Sequence, residues 1–223
     1  MVIYSLPTYT EANNCLPKAG RIMASARGFS LIELVIVVII LGLLAVTALP
    51  RFLDVTDEAM AANIEGMAGG VATGVALARA QWESQGRPQQ DGRNVVWYDG
   101  TQLFLTREEA TGPVSPGYPV DNAGRNGASD ARVMTPERCI AVWGGVLQNP
   151  PSLTASSAAA DLAASRYYTA VVDDNCGYWL VASLNRDNNG RDYVAPGANT
   201  GIGNNFVYNP ANGRVVIHIN KSN

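Results

Sequence analysis

The chain has 223 residues, a net charge of −3 and 47 % apolar residues, yet only 16 % of its residues are charged. Soluble domains average about 25 % charged residues. The composition excludes a basic nucleic-acid-binding domain, which needs a clustered Lys/Arg surplus, and a disordered acidic tail, which needs high net charge and few apolar residues.

The apolar residues are concentrated. From Phe29 to Pro50 the chain reads FSLIELVIVVIILGLLAVTALP, with 17 apolar residues in 22 and Glu33 as the one charge. As a helix this run would be about 33 Å long, enough to cross a hydrocarbon core of about 30 Å. Lys18, Arg21 and Arg27 precede it, whereas Arg51 is soon outnumbered by Asp54, Asp57 and Glu58. The positive-inside rule therefore places residue 27 in the cytoplasm and the chain after Pro50 outside it. A buried core helix is rarely so long and apolar all round. A secretory signal has a shorter run followed by a small-x-small cleavage site, which is absent here. Neither alternative, nor a plain signal anchor, explains a glutamate near the start of the run, where it needs a partner.

The sequence Arg27-Gly28-Phe29-Ser30-Leu31-Ile32-Glu33-Leu34 resembles the class III signal of type IV prepilins and pseudopilins: a basic leader ending in Gly, then Phe, then Glu as the fifth residue after the cut. The resemblance implies cleavage between Gly28 and Phe29 by a prepilin peptidase and N-methylation of the new Phe29 amine. It also implies pairing of Glu33 with the Phe29 amine of a neighbouring subunit. Residues 1–28 are then a leader, and translation from Met23 would shorten it to MASARG. Pro50 falls where such helices commonly carry a proline; lacking an N–H, it predicts a kink and not a break. The implied partners are the peptidase, other pilin subunits, the inner-membrane assembly machinery and the membrane itself; no cofactor is implied, and nucleic acid is not expected.

Residues 51–84 predict the second, amphipathic half of the same helix, with Phe52, Val55, Ala59, Ile64, Met67, Val71, Val75, Ala78 and Trp82 on one apolar face. Ala62, Gly66, Gly70, Gly74 and Ala78 form a small-residue ridge. Two readings stay open for it: close packing on the chain's own head, or close approach of helices in a fibre. Residues 85–223 predict a globular head. A hairpin is expected at Asn94–Tyr98 and Gln102–Leu105 around Asp99-Gly100, and residues 111–133 read as a surface loop. Thr135-Pro136-Glu137 opens a helix to about Leu147, and Ser156–Ala164 reads as a short one. Strands are expected at Tyr167–Val172, Tyr178–Leu184, Phe206–Tyr208 and Arg214–Ile219. The fold class is α+β: an antiparallel sheet laid on the second half of a long helix, as the pilin resemblance also implies.

Processing would remove Cys15 and leave Cys139 and Cys176, an even pair in a segment placed outside the cytoplasm, which reads as a disulfide. The Cys139–Cys176 spacing, RFLDVTDEA after Pro50 and FVYNPANGRVVIHI near the end resemble pilins of the mannose-sensitive haemagglutinin (MSHA) type, with the length favouring a minor pilin. Adhesion, biofilm formation or motility would be properties of such a fibre. The alternatives are a pseudopilin of a type II secretion system and a signal-anchored periplasmic domain that never polymerises.

Catalytic chemistry has little support. One histidine, His218, sits in the last expected strand, and Gly201-Ile202-Gly203 lacks the third glycine and the helix of a dinucleotide site. One His and no CxxC argue against zinc. Asn185, Asp187, Asn189 and Asp192 echo the start of a calcium loop, but Pro196 occupies the twelfth position, where a bidentate Glu is needed. Residues 51–223 hold only 30 charged residues but 35 Asn and Gly. The head is therefore expected to present a polar, uncharged surface suited to side-by-side packing.

Overall fold

The computed structural model describes residues 29–108, 112–125 and 129–220, and the chain divides after Thr47 into two compact units. Cys15 and Met23 lie outside the described residues, as does Gly28. The helix α1 runs Leu31–Ser84 and its assignment continues through Pro50, so the proline does not break it. Up to residue 49 every described residue is exposed.

The second unit begins at Ala48. Its core is built on one stripe of α1, in which Ile64, Ala68, Val71, Val75, Ala78 and Trp82 are buried at alternating spacings of four and three. Phe52 and Val55, expected on that face, are instead 73 % and 54 % exposed. The apolar spacing was right for a helix, but the step of five from Ala59 to Ile64 leaves Phe52, Val55 and Ala59 off the buried stripe, on the side of the helix away from the head.

Among the described residues, nine strands follow in two sheets. The first has the order β1-β2-β3-β4, with β1 at Gln89–Gln90, β2 at Arg93–Tyr98, β3 at Thr101–Leu105 and β4 at Pro119–Asp121. Asp99 and Gly100 both take positive φ, 46° and 78°, and make the predicted tight hairpin turn. The second sheet has the order β5-β6-β7-β8-β9, with β5 at Leu153–Thr154, β6 at Tyr167–Val172, β7 at Asn175–Leu180, β8 at Asn205–Asn209 and β9 at Arg214–His218. All pairings are antiparallel except β5 with β6. The α+β class stands, but the single expected sheet is two.

Three local expectations change. The Gly- and Asn-rich stretch at 111–133 is not wholly a surface loop: it contains β4, and Val114, Val120 and Ala131 are buried. The strand expected at Tyr178–Leu184 starts earlier and ends at Leu180. Asp173 and Asp174 take positive φ to form the preceding turn, and Val181–Ser183 is a 3₁₀ turn closed by Ser183 Oγ donating to the Leu180 carbonyl. The short helix α3 spans only Ala159–Ala164, because Ser156 and Thr154 use their hydroxyls on nearby backbone N–H groups in a turn.

The helix α2, Pro136–Val146, begins as predicted, with Thr135 Oγ1 accepting from the Arg138 N–H. The Thr135 hydroxyl also holds the Glu137 carboxyl below its usual range. Trp143 on α2 centres an aromatic cluster, 4.9 Å from Tyr167 and 5.0 Å from Tyr178 between ring centroids. Burial pushes the phenols of Tyr178 and Tyr208 far up, so both stay neutral donors; Tyr178 donates to the Cys139 carbonyl and Tyr208 to the Pro119 carbonyl.

Gly74 shows why one part of the ridge is small. A Cβ there would collide with the Val146 carbonyl at the end of α2, whereas at Gly66 and Gly69 it would meet open space. Overpacking costs about 1–3 kcal/mol, against a helix-propensity gain of about 1 kcal/mol from Gly to Ala. Gly74→Ala is therefore expected to lower stability by about 1–2 kcal/mol in denaturant melts of the purified subunit.

Candidate assembly surface

The first turn of α1 carries the residues singled out for processing and assembly. Phe29 is 75 % exposed. Ser30 and Glu33 form a reciprocal cap: the Ser30 N–H donates to Glu33 Oε2 at 3.4 Å, and the Glu33 N–H donates to Ser30 Oγ at 3.3 Å. This is a capping box, which satisfies two of the N–H groups that a helix start leaves open. The sequence reading gave Glu33 only an intermolecular partner. The S-x-x-E spacing, visible in Ser30-Leu31-Ile32-Glu33, already signalled an intramolecular one.

A second signal was also legible and overlooked. The positions Ala48, Phe52, Val55, Ala59, Ala62, Gly66, Gly69, Thr73, Ala76 and Ala80 alternate in steps of four and three, and all are exposed. They form a heptad seam on the side of α1 away from the head, and from Gly66 to Ala78 the helix bears no charge at all. In sequence the same register extends back through Ala45, Leu41, Val38, Leu34 and Leu31. A repeat of 3.5 residues is the pattern by which helices keep one seam against another. Gly66 and Gly69 are its smallest residues, so the seam leaves the most room there.

Cys139 on α2 and Cys176 on β7 are bonded to each other and fully buried. Asn185, Asp187, Asn189 and Asp192 come together in one exposed turn. There Asp187 Oδ1 accepts from the N–H groups of Arg191 at 2.8 Å and Asp192 at 3.2 Å, and Asn189 Nδ2 donates to Asp187 Oδ2. These bonds hold the Asp187 carboxyl below its usual value. A carboxyl depressed in the folded state stabilises its turn above the unfolded value of 3.8 and loses that effect as pH falls through the lower folded value. Acidification is thus expected to lower the protection of the Arg191 and Asp192 amides, measured as hydrogen exchange relative to the intrinsic rate at each pH. Calcium is expected to leave Tm unchanged, because the carboxylate already serves its own backbone. His218, on the edge strand β9, is half-buried and has no acid or nucleophile hydrogen-bonded to it among the described residues.

Comparison with known proteins bears on the N-terminal segment. Residues 23–49 match the family model described as the prokaryotic N-terminal methylation motif. Over 56 residues the chain is 48 % identical to the type IV narrow pilus major component PilA5 of Thermus thermophilus, a stretch covering 25 % of this chain and 48 % of that protein. The chain thus spans about half the length of that relative. No solved structure matches. The chain carries a prepilin-type methylation motif ahead of and within a helix long and apolar enough to cross a membrane, and it is type IV pilin-like over the 56 residues it shares with that relative.

Proposed function

We propose that the chain is a structural subunit of a type IV pilus. It is made as a single-pass inner-membrane prepilin with a cytoplasmic N-terminus and a periplasmic head. Prepilin peptidase cuts it between Gly28 and Phe29, the Phe29 amine is methylated, and the subunit enters an extracellular fibre through α1. The observation that carries this reading is the methylation motif placed directly before an apolar helix with no cover of its own up to residue 49. Such a surface is stable in lipid or against copies of itself, not in water. The relative's description as a pilus component favours a fibre over a secretion pseudopilus. The finer assignment, a minor pilin of MSHA type supporting adhesion, biofilm formation or motility, rests on RFLDVTDEA, FVYNPANGRVVIHI and the cysteine spacing.

Shearing surface fibres from the producing cell and weighing the subunit tests this. The expected species begins at a Phe29 bearing one added methyl group. A processed subunit confined to the membrane fraction would indicate a pseudopilin, and an uncut chain would indicate a signal-anchored domain.

The seam makes a further demand. Gly66→Ala and Gly69→Ala should each stabilise the isolated subunit by about 0.8–1 kcal/mol through helix propensity. The same changes should lower fibre yield, because each Cβ widens the closest approach of two helices. Melting of the purified subunit and sheared-fibre yield measure the two effects separately.

A further inference from the structure

Two clefts flank α1 where the head begins to cover it, and Met60 lines both. The first, of about 420 Å³, lies between α1 and the α3–β6 corner and is lined by Thr56, Asn63, Ser165, Leu180 and Tyr193, with Arg166 as its one charged residue. Arg166 is exposed beside Tyr167, whose hydroxyl donates to Asn63 Oδ1 at 2.6 Å. Among the described residues no carboxylate forms an ion pair with Arg166.

The second cleft, of about 520 Å³, carries the opposite sign. Asp54, Asp57 and Glu58 line it together with Arg51, and their spacing puts the three carboxylates on one side of α1. All three are exposed, and none takes part in an ion pair among the described residues. One molecule thus presents an unpaired cation on one flank of α1 and unpaired carboxylates on the other. A contact between two different patches of identical molecules is heterologous, and when its rotation does not close it propagates as a filament.

We infer that these clefts are the two halves of a contact between copies of this chain: the Asp54–Asp57–Glu58 face of one subunit seats against Arg166 of the next. This inference rests on the fibre reading above and adds to it a head-level contact that sets which flanks meet. Complementary charge at such a contact fixes register and suppresses wrong pairings by placing like charges together.

The test is a charge swap in the full-length chain, with processing and membrane insertion of every variant checked by intact mass. Arg166→Gln, which removes the charge and keeps a polar side chain, and Arg166→Glu are each expected to reduce sheared-fibre yield at least tenfold. Asp57→Arg/Glu58→Arg should do the same. Combining Arg166→Glu with Asp57→Arg/Glu58→Arg should restore yield to within about threefold of the parent, and Arg166→Lys should retain it. Parent-level fibres from Arg166→Glu, or no recovery in the combined variant, would overturn the contact. Stabilisation of the parent subunit by calcium or magnesium that is lost in Asp57→Arg/Glu58→Arg, with Arg166→Glu forming fibres normally, would assign the acidic cleft to a cation instead. Absence of fibres from the parent chain would instead sink the fibre reading, so the two failures are distinguishable.

Discussion

Glu33→Ala is expected to give a subunit that is inserted and trimmed normally but builds few or no fibres. Two roles of the carboxylate are removed together, and they differ in size. Within one subunit it closes the capping box with Ser30, and losing such a cap costs about 0.5–2 kcal/mol. In the proposed fibre it faces the Phe29 amine of a neighbour, a group with a reference pKa of about 7.7–8.0 and therefore largely cationic at neutral pH. Breaking a buried ion pair on one side leaves an uncompensated charge and costs about 3–5 kcal/mol, which at about 1.4 kcal/mol per decade is a loss of more than a hundredfold at each contact. Two further variants separate the roles. Ser30→Ala removes half of the cap and keeps the charge, so it should assemble nearly normally. Glu33→Gln keeps the cap, since glutamine serves in a capping box, but it lacks the charge and should assemble as poorly as alanine. Normal fibres from Glu33→Gln would reduce Glu33 to a local helix cap.

The difference between these two roles marks where the sequence was legible. Patterns that act over one turn could be read directly: Thr135 before Pro136, Asp99-Gly100 in the hairpin, and the apolar run from Phe29. Each specifies its local conformation through a side chain or a φ preference that needs no distant partner. The Ser30–Glu33 cap and the start of α3 were missed although local; the other errors involve what lies across from a residue. Phe52 and Val55 keep a helical spacing but lie on a different face from Ile64 and Val71, and spacing alone does not say which face the head covers. Residues 119–121 look like loop in composition but pair with β3, because Phe104 and Leu105 offer an edge. Val181–Ser183 is apolar enough for a strand, yet the chain turns there so that Val181 and Leu184 can pack with Leu162 and Trp179 in a second small core. The ridge shows both sides at once. Gly74 is small because α2 ends against it and Gly70 lies against Leu147, while Gly66 faces empty space in the single subunit. The sequence reading left both explanations open for the whole ridge; the packing supplies the first of them at Gly74. The charge shortage also divides, part belonging to the apolar helix and part to residues 51–223, which hold only 30 charged residues.

The second large effect lies in the head. Replacing both Cys139 and Cys176 by serine is expected to destabilise it by about 4 kcal/mol, the chain-entropy value for closing a loop of this length, given a separation of 37 residues. The cross-link joins α2 to β7, and several contacts depend on α2 keeping its place: Trp143 against Tyr167 and Tyr178, the Tyr178 hydroxyl on the Cys139 carbonyl, and Val146 against Gly74. For a unit of this size a loss of 4 kcal/mol lowers Tm by roughly 8–16 °C. Because both sulfurs are fully buried, reductant should act slowly on the folded head and quickly once it opens. The parent in reductant should then lose its excess stability only after partial denaturation, whereas the serine variant shows the lower Tm from the start. The ordering of effects also follows. Gly74→Ala disturbs one edge of α2 and costs about 1–2 kcal/mol by overpacking against a helix-propensity gain, while loss of the cross-link frees the whole segment from α2 to β7. A head that melts within a few degrees of the parent after both cysteines are replaced would show that the aromatic cluster around Trp143 holds α2 without covalent help.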